Sequence, residues 1–309
     1  MDLERFRVRF DAAFKRATRL RSRLKLIPPP RMDAVYLEAL AHMEETTEDQ
    51  LEDQPEGQSV EEQYLANLSW SVIERDIDCI IPCKGASVRF GGRCKALAEV
   101  NGHPLLGYVV ETCRAAGIFG RIVVATDDER VASVAESYGA VALMRPPELS
   151  KPGVMVHQVV RWVLDQVNAE LAALKVPPKP YVAIVYPTAA LLHRDHLRGM
   201  WGQLQQTVDG VMTTVRPVEH PLGALRKDSH GWLIPHFGEP RPSEEWPALW
   251  FDAGAAYMYV VQKFLEYGHY PPRLAGYELA RTQAWDVDVL ADVQMVETLM
   301  RLAEQTEER

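Results

Sequence analysis

From Ile77 onward the chain alternates short apolar runs with longer stretches of helical periodicity, and this alternation restricts the fold more than any other feature. Asp78-Cys79-Ile80-Ile81-Pro82, Arg121 to Thr126 and Tyr181 to Tyr186 have strand length and strand composition. Gly210 to Val215 and Ala255 to Val261 extend the series. Between these runs, residues 105–116, 129–138 and 154–174 carry helical patterns. Buried strands separated by helices imply parallel neighbours joined by crossovers. The expected class is therefore α/β, a layered domain around a mostly parallel sheet. Trp285-Asp286-Val287-Asp288 is expected to close that sheet ahead of a C-terminal helix over about residues 291–304. No internal repeat is visible.

The first residues have a different texture. Residues 1–26 are basic, and Phe6, Phe10 and Phe14 recur at the spacing of one helical face. Pro28-Pro29-Pro30 stops that helix. A second helical stretch over 32–43 runs into an acidic, apolar-poor segment over 44–63, which reads as a linker. The expected organisation is a helical extension with its linker over 1–63 and the α/β domain over 64–309. The phenylalanine stripe is expected to pack on its own domain or on a partner subunit, with a membrane-surface or anionic-partner role as the alternative.

Charge narrows the function. The 34 Lys+Arg against 43 Asp+Glu leave a net charge of −9, a poor match to sequence-independent nucleic-acid binding. No apolar run approaches the roughly 20 residues that span a bilayer, and the N-terminus shows no apolar signal region. Cys79, Cys83, Cys94 and Cys113 lack zinc-site spacing and read as free thiols in a reducing, cytoplasmic setting.

The loop leaving the first strand, Ile81 to Lys95, carries Gly85, Gly91, Gly92, Ser87 and the cations Lys84, Arg89, Arg93 and Lys95. Glycines let backbone N–H groups approach an anion and the cations supply charge, so the loop reads as a polyphosphate cradle. It is neither GxxxxGK[ST] nor GxGxxG. A surface turn with no ligand is the alternative. Asp127-Asp128, just past a strand, reads as the cap of the next helix. His193 and His196 likewise read as a helix start, because no third metal ligand is evident. Trp246 and Trp250 read first as packing residues, at a dimer interface or a lid.

Ile81-Pro82-x-Lys84-Gly85-x-Ser87-x-Arg89, then Lys95 and Asn101-Gly102-His103-Pro104-Leu105, resembles the opening of the sugar cytidylyltransferases. The resemblance continues through Val123 to Asp128, Arg145 to Leu149, Tyr186-Pro187-Thr188-Ala189, Phe251-Asp252-Ala253-Gly254 and Trp285 to Asp288. These blocks stand in family order over about residues 77–302. They are most similar to the acylneuraminate type, with a lean toward the pseudaminic acid enzymes.

The resemblance implies a Rossmann-like, glycosyltransferase-A-like nucleotidyltransferase fold. It also implies transfer of CMP from CTP to the anomeric hydroxyl of a sialic-acid-like nonulosonate, with release of pyrophosphate. Arg89 and Lys95 would act on the phosphates, helped by Lys84, Gly85, Ala86, Ser87 and backbone amides. Tyr186 and Thr188 would border the nucleotide, and Arg145 and Asp252 the nucleotide or acceptor pocket. His220, Arg226 and Arg241 are the candidates for holding the sugar acid. Asp286 and Asp288 match the family's metal pair, and on a strand an i, i+2 pair would meet one Mg²⁺. A homodimer is implied as well. Several positions depart from the pattern: Lys84 stands for arginine, Ala86 for glycine, Val88 for lysine, Ala96 for asparagine and Gly223 for a substrate-binding lysine. They leave two alternatives open, a nucleotidyltransferase of the same fold acting on a sugar phosphate or other acceptor, and a non-catalytic nucleotide-binding homologue.

Overall fold

The computed structural model describes residues 75–87, 90–173, 177–238 and 242–307. The expected N-terminal extension, Arg89 and Arg241 lie outside the described residues.

The strands are β1 (Ile77–Cys83), β2 (Glu99–Val100), β3 (His103–Pro104), β4 (Ile122–Thr126), β5 (Val141–Met144), β6 (Tyr181–Val185), β7 (Gly210–Val215), β8 (Leu225–Lys227), β9 (Leu233–Pro235), β10 (Phe251–Val260) and β11 (Leu274–Glu278). The α-helices are α1 (Leu105–Ala116), α2 (Glu129–Ser137), α3 (Val156–Ala173), α4 (Arg194–Leu204), α5 (Val261–Tyr267) and α6 (Leu290–Glu307). Seven strands form one sheet in the order β11-β7-β10-β6-β1-β4-β5, while β2-β3 and β8-β9 are separate two-stranded pairs. Strand β10 runs antiparallel to both β6 and β7, and the other neighbouring pairs in the large sheet are parallel. The expected α/β class is borne out.

The two-residue period of a strand explains the layering. In β1, Ile77, Cys79, Ile81 and Cys83 face a core shared with α1, α2 and α4, while Ile80 faces a second core shared with α3 and α5. With both faces covered, the strand reads as a continuous apolar run rather than an alternating one. The helix ends follow local chemistry. Gly117, at φ +69°, terminates α1 in the left-handed conformation that glycine adopts without penalty. Asp128 caps α2 by accepting from the Arg130 N–H, and His193 caps α4, as the sequence suggested.

One expectation fails. Trp285–Asp288 is not a strand and does not close the sheet; β11 occupies that edge. The segment is instead held by Val287, fully buried in a small core with Phe90, Val100, Leu105, Ala190 and Val296. Strand β10 also begins at Phe251 rather than Ala255, because beyond a register shift between Asp252 and Tyr257 the residues Phe251 and Asp252 pair with β7 again. Among the described residues no helix is long and apolar enough to cross a membrane. All four cysteines are free and buried.

The end of the sheet away from the loop is tied by charge. Buried Asp78 accepts Arg121 at 2.8 Å and Lys179 at 2.9 Å, and Arg121 also reaches Glu170 at 3.1 Å. A buried carboxylate is tolerated when its charge and lone pairs are met in this way.

Candidate active site

In an open α/β sheet, ligands gather at the carboxyl ends of the parallel strands, where strand connections diverge. Here β1 sits between β4 and β6, and its carboxyl end delivers the glycine loop. The neighbouring ends deliver Asp127 after β4, Arg145 after β5 and Tyr186 after β6. Because β10 runs the other way, its first residues, Phe251 and Asp252, arrive at the same edge.

The loop is folded on itself before any ligand is considered. Ser87 N–H donates to the Arg93 carbonyl at 3.0 Å, and Gly92 N–H donates to the Ser87 carbonyl at 2.9 Å. Gly91 and Gly92 adopt φ of +65° and +77°, which β-carbons would strain. Phe90, buried between the glycines and the serine, anchors the loop in the core that also takes Val287 and Val296. Gly85 serves a different need. A Cβ there would stand 2.6 Å from the Asp128 Cβ, so only glycine permits the loop to pass this close.

That close passage matters because Asp127 accepts the Gly85 N–H at 2.8 Å and pairs with Arg145 at 3.0 Å. Burial works against the Asp127 charge, but the Gly85 amide, the Ser150 hydroxyl and Arg145 outweigh it and hold the carboxyl below its ordinary range. Arg145 is itself buried, and its contact with Asp127 is too poorly aligned to count as a hydrogen bond. Its guanidinium thus keeps buried donor capacity next to the loop. Asp127 has a role that capping did not suggest. The sequence signal was the acidic pair itself, of which the second member caps and the first binds the loop.

Lys95 forms an ion pair with Asp288, joining the end of the loop to the segment before α6. Asp288 is oriented by its neighbour Asp292, which accepts the Asp288 and Val289 N–H groups, each at 2.8 Å. Asp286 is exposed beside it. Tyr186 ties the two acidic places together. Burial raises its phenol first, and the charges of Asp252 and Asp286 raise it further. Its ring lies 5.5 Å from that of Tyr257, whose hydroxyl donates to Asp252 at 2.8 Å. Lys84, Ala86 and Ser87 lie along the accessible side of the loop, with Lys84 reaching the Lys151 carbonyl at 3.4 Å. Thr188 is buried two residues after Tyr186.

The structure thus brings Lys84, Gly85, Ala86, Ser87, Lys95, Arg145, Tyr186, Asp252, Asp286 and Asp288 to one edge. His220 is engaged elsewhere. Its Nδ1 accepts the Leu222 N–H at 3.2 Å, which makes Nε2 the protonated nitrogen that donates to the Pro247 carbonyl at 2.9 Å. It caps a turn beneath Trp246, with ring centroids 4.8 Å apart. Arg226 lies on the separate β8–β9 hairpin, opposite Ile234.

With Trp285–Asp288 not a strand, the expected single face for Asp286 and Asp288 is absent; exposed Asp286 and Lys95-paired Asp288 are the carboxylates that could hold a divalent cation. Among the described residues no group of three or more His, Cys, Asp or Glu is gathered for a metal. A two-carboxylate offer suits Mg²⁺, which completes its shell with phosphate oxygens and waters.

Residues 79–229 match the family model described as Cytidylyltransferase. This chain carries a cytidylyltransferase domain. The domain is that of a nucleotidyltransferase, as the resemblance to the sugar cytidylyltransferases implied. Pseudaminic acid cytidylyltransferase of Campylobacter jejuni is 25% identical over 229 residues, 72% of this chain and 96% of that protein. N-acylneuraminate cytidylyltransferase of Escherichia coli O18:K1:H7 is 33% identical over 106 residues, 34% of this chain and 25% of that protein. The cytidylyltransferase fold is shared with the solved structure of CMP:2-keto-3-deoxy-manno-octonic acid synthetase complexed with CTP. That likeness has a TM-score of 0.52 at 15% identity and covers 74% of this chain and 99% of the other.

Proposed function

We propose that this chain transfers CMP from CTP to the anomeric hydroxyl of a nonulosonate of the pseudaminic, legionaminic or neuraminic type, releasing pyrophosphate. The observation that carries the reading is the Gly85–Asp127 bond. It fixes a cationic glycine loop at the sheet edge where Tyr186, Asp252 and Asp288 converge. The similarity to a pseudaminic acid cytidylyltransferase along nearly its whole length supports the acceptor class.

The chemistry asks for alignment and charge neutralisation rather than a protein nucleophile. The anomeric oxygen attacks the α-phosphorus as its proton passes to solvent, the bond from the α-phosphorus to the oxygen bridging to the β-phosphate breaks, and that electron pair leaves on pyrophosphate. Loop amides together with Lys84, Arg89 and Lys95 hold the phosphates, these charge-assisted contacts being the strong ones. Arg145 turns its unused donors toward the nucleotide. Lys95 would exchange Asp288 for a phosphate oxygen, and Asp286 and Asp288 would then be the carboxylates to hold Mg²⁺. Bound there, Mg²⁺ supplies Lewis-acid neutralisation of phosphate charge. Asp252, held by Tyr257, lies on the acceptor side.

A second copy of the chain is the proposed partner. The β8–β9 hairpin exposes Trp232 at 71% and Leu233 at 63%, an apolar surface of the kind that self-association covers. The deciding experiment measures pyrophosphate release with each nucleoside triphosphate against pseudaminic-, legionaminic- and neuraminic-type acids and a 3-deoxy-octulosonate. CTP-selective release with a nonulosonate supports the reading, and release with none of these acceptors overturns it.

A further inference from the structure

Cys83 and Cys94 stand at the two roots of the phosphate loop. Cys83 is the last residue of β1, fixed in register with Thr126 of β4. Cys94 ends the loop, directly before a short 3₁₀ turn over Lys95–Leu97. Both belong to the core shared with α1, α2 and α4. The Cys94 thiol donates to the Lys84 carbonyl at 3.4 Å, which lays its sulfur against the residue that follows Cys83. The two thiols are in hydrogen-bonding contact with each other.

That contact makes the two sulfurs unlike. Cys83 favours the Cys94 thiolate against the cost of burial, and with the Leu97 and Ala96 N–H groups it brings the Cys94 pKa down to about 7. Cys94 in turn pushes the Cys83 thiol up, and burial pushes it further. A thiolate beside a protonated thiol is the arrangement in which one sulfur attacks and the other resolves. Cys94 is 7% exposed, next to the open run Gly91-Gly92-Arg93, so a small oxidant needs only a local opening of the loop to reach it. The second thiol pair lacks that access. Cys79 and Cys113 lie 3.7 Å apart between β1 and α1, fully enclosed, and burial raises the Cys79 thiol well above its ordinary range.

We infer that Cys83 and Cys94 are a site of oxidative modification, at which hydrogen peroxide makes a disulfide that staples the phosphate loop and turns nucleotide binding off. The Cys94 sulfur attacks one peroxide oxygen, the O–O bond breaks, and the hydroxide that leaves takes up a proton as water. The Cys83 sulfur then attacks the resulting sulfenic acid; the S–S bond forms, the S–O bond breaks, and the Cys83 proton leaves with the oxygen as a second water. Two thiols lose two electrons and one peroxide gains them. Because Cys83 is held in the sheet, closure of the bond moves Cys94. The Lys84 carbonyl loses its donor, and Lys95, next in the chain, is drawn from its place beside Asp288. The consequence for binding rests on the proposed reading that this loop holds the CTP phosphates.

The test treats the full chain with hydrogen peroxide, blocks the remaining thiols by alkylation and maps the cysteines by mass spectrometry without reduction. A Cys83–Cys94 linkage is expected, with Cys79 and Cys113 recovered as alkylated thiols. In the same sample, CTP binding by calorimetry should weaken about tenfold or more and kcat/KM for CTP should fall about 100-fold, both recovered with dithiothreitol. Each variant is compared with its own reduced form: peroxide should leave CTP binding by Cys94→Ala unchanged and should still weaken it in Cys113→Ala. Peroxide that leaves Cys83 and Cys94 unlinked in the wild-type chain, or a linkage that leaves CTP binding unchanged, would overturn the switch without touching the transferase reading. A chain that forms the linkage and loses CTP binding, yet when reduced releases no pyrophosphate with any acceptor, would support the switch and overturn the transferase reading.

Discussion

Lys95 and Asp288, separated by 193 positions in sequence, form an ion pair that joins the end of the phosphate loop to the segment preceding α6. The two sites assigned from sequence, one to phosphate and one to metal, are therefore in direct contact.

Asp288→Asn should lower kcat by about 100-fold or more, the scale of removing a group that meets charge developing in the transition state. Stability should change by less than about 1 kcal/mol, since the pair is partly open to solvent. Pyrophosphate release across a Mg²⁺ titration, paired with a thermal melt, tests both parts. Undiminished turnover would remove Asp288 from the reaction.

Gly85→Ala puts a methyl into the Asp128 side chain and must push the loop away from Asp127. Displacement of a positioning loop by even an ångström costs about 10²-fold in kcat/KM for CTP. Steady-state kinetics at fixed acceptor concentration reads this. A variant with wild-type KM for CTP would show that the loop does not touch the nucleotide.

Asp127 links the loop to pH. Its folded pKa lies below the ordinary 3.8, so the unfolded chain takes up the proton first. The stabilisation is present above 3.8 and is lost as pH falls through the folded value. Urea unfolding from about pH 5 to about pH 2.5 should show a steeper loss in wild type than in Asp127→Asn. Equal slopes would dissociate Asp127 from acid lability.

At the far end of the sheet, Asp78→Ala leaves Arg121 and Lys179 buried without their shared anion, a loss of about 3 kcal/mol or more. Because this network is remote from the loop, KM for CTP should stay unchanged in protein that remains folded. Chemical denaturation and kinetics on the same sample measure the two effects separately.

Leu233→Asp on the hairpin should convert a dimer to monomer in sedimentation. A wild-type chain that sediments as a monomer at all concentrations would remove the second copy as partner.

Much of this arrangement is legible in the residues, for identifiable reasons. Strands β1, β4, β6 and β7 are apolar on both faces, and α1 and α2 carry a C-terminal glycine and an N-terminal aspartate that mark their limits. By contrast, Leu274-Ala275-Gly276-Tyr277-Glu278 forms a strand only because β7 offers it a free edge, and its composition does not announce this. Trp285–Asp288 has the alternation of a strand, but the buried Val287 packs into a side-chain cluster rather than against a sheet. Asp127 shows its role only when Gly85, 42 residues earlier, is brought within 2.8 Å. His220 stood next to a family-like segment, yet both its ring nitrogens are used within its own turn.

The reversed direction of β10 has a consequence for how this scaffold tolerates change. Because β7 and β10 are antiparallel neighbours, the 35 residues between Val215 and Phe251 leave the sheet and return to it at the same edge, as an excursion rather than a crossover. Insertions, deletions or whole replacements in that excursion leave the strand registers of the seven-stranded sheet and the nucleotide loop untouched. Trp250 is its last residue, so editing the excursion stops short of β10 and does not disturb the phosphate grip. The fold thereby separates the part that can be rewritten from the part that must stay fixed.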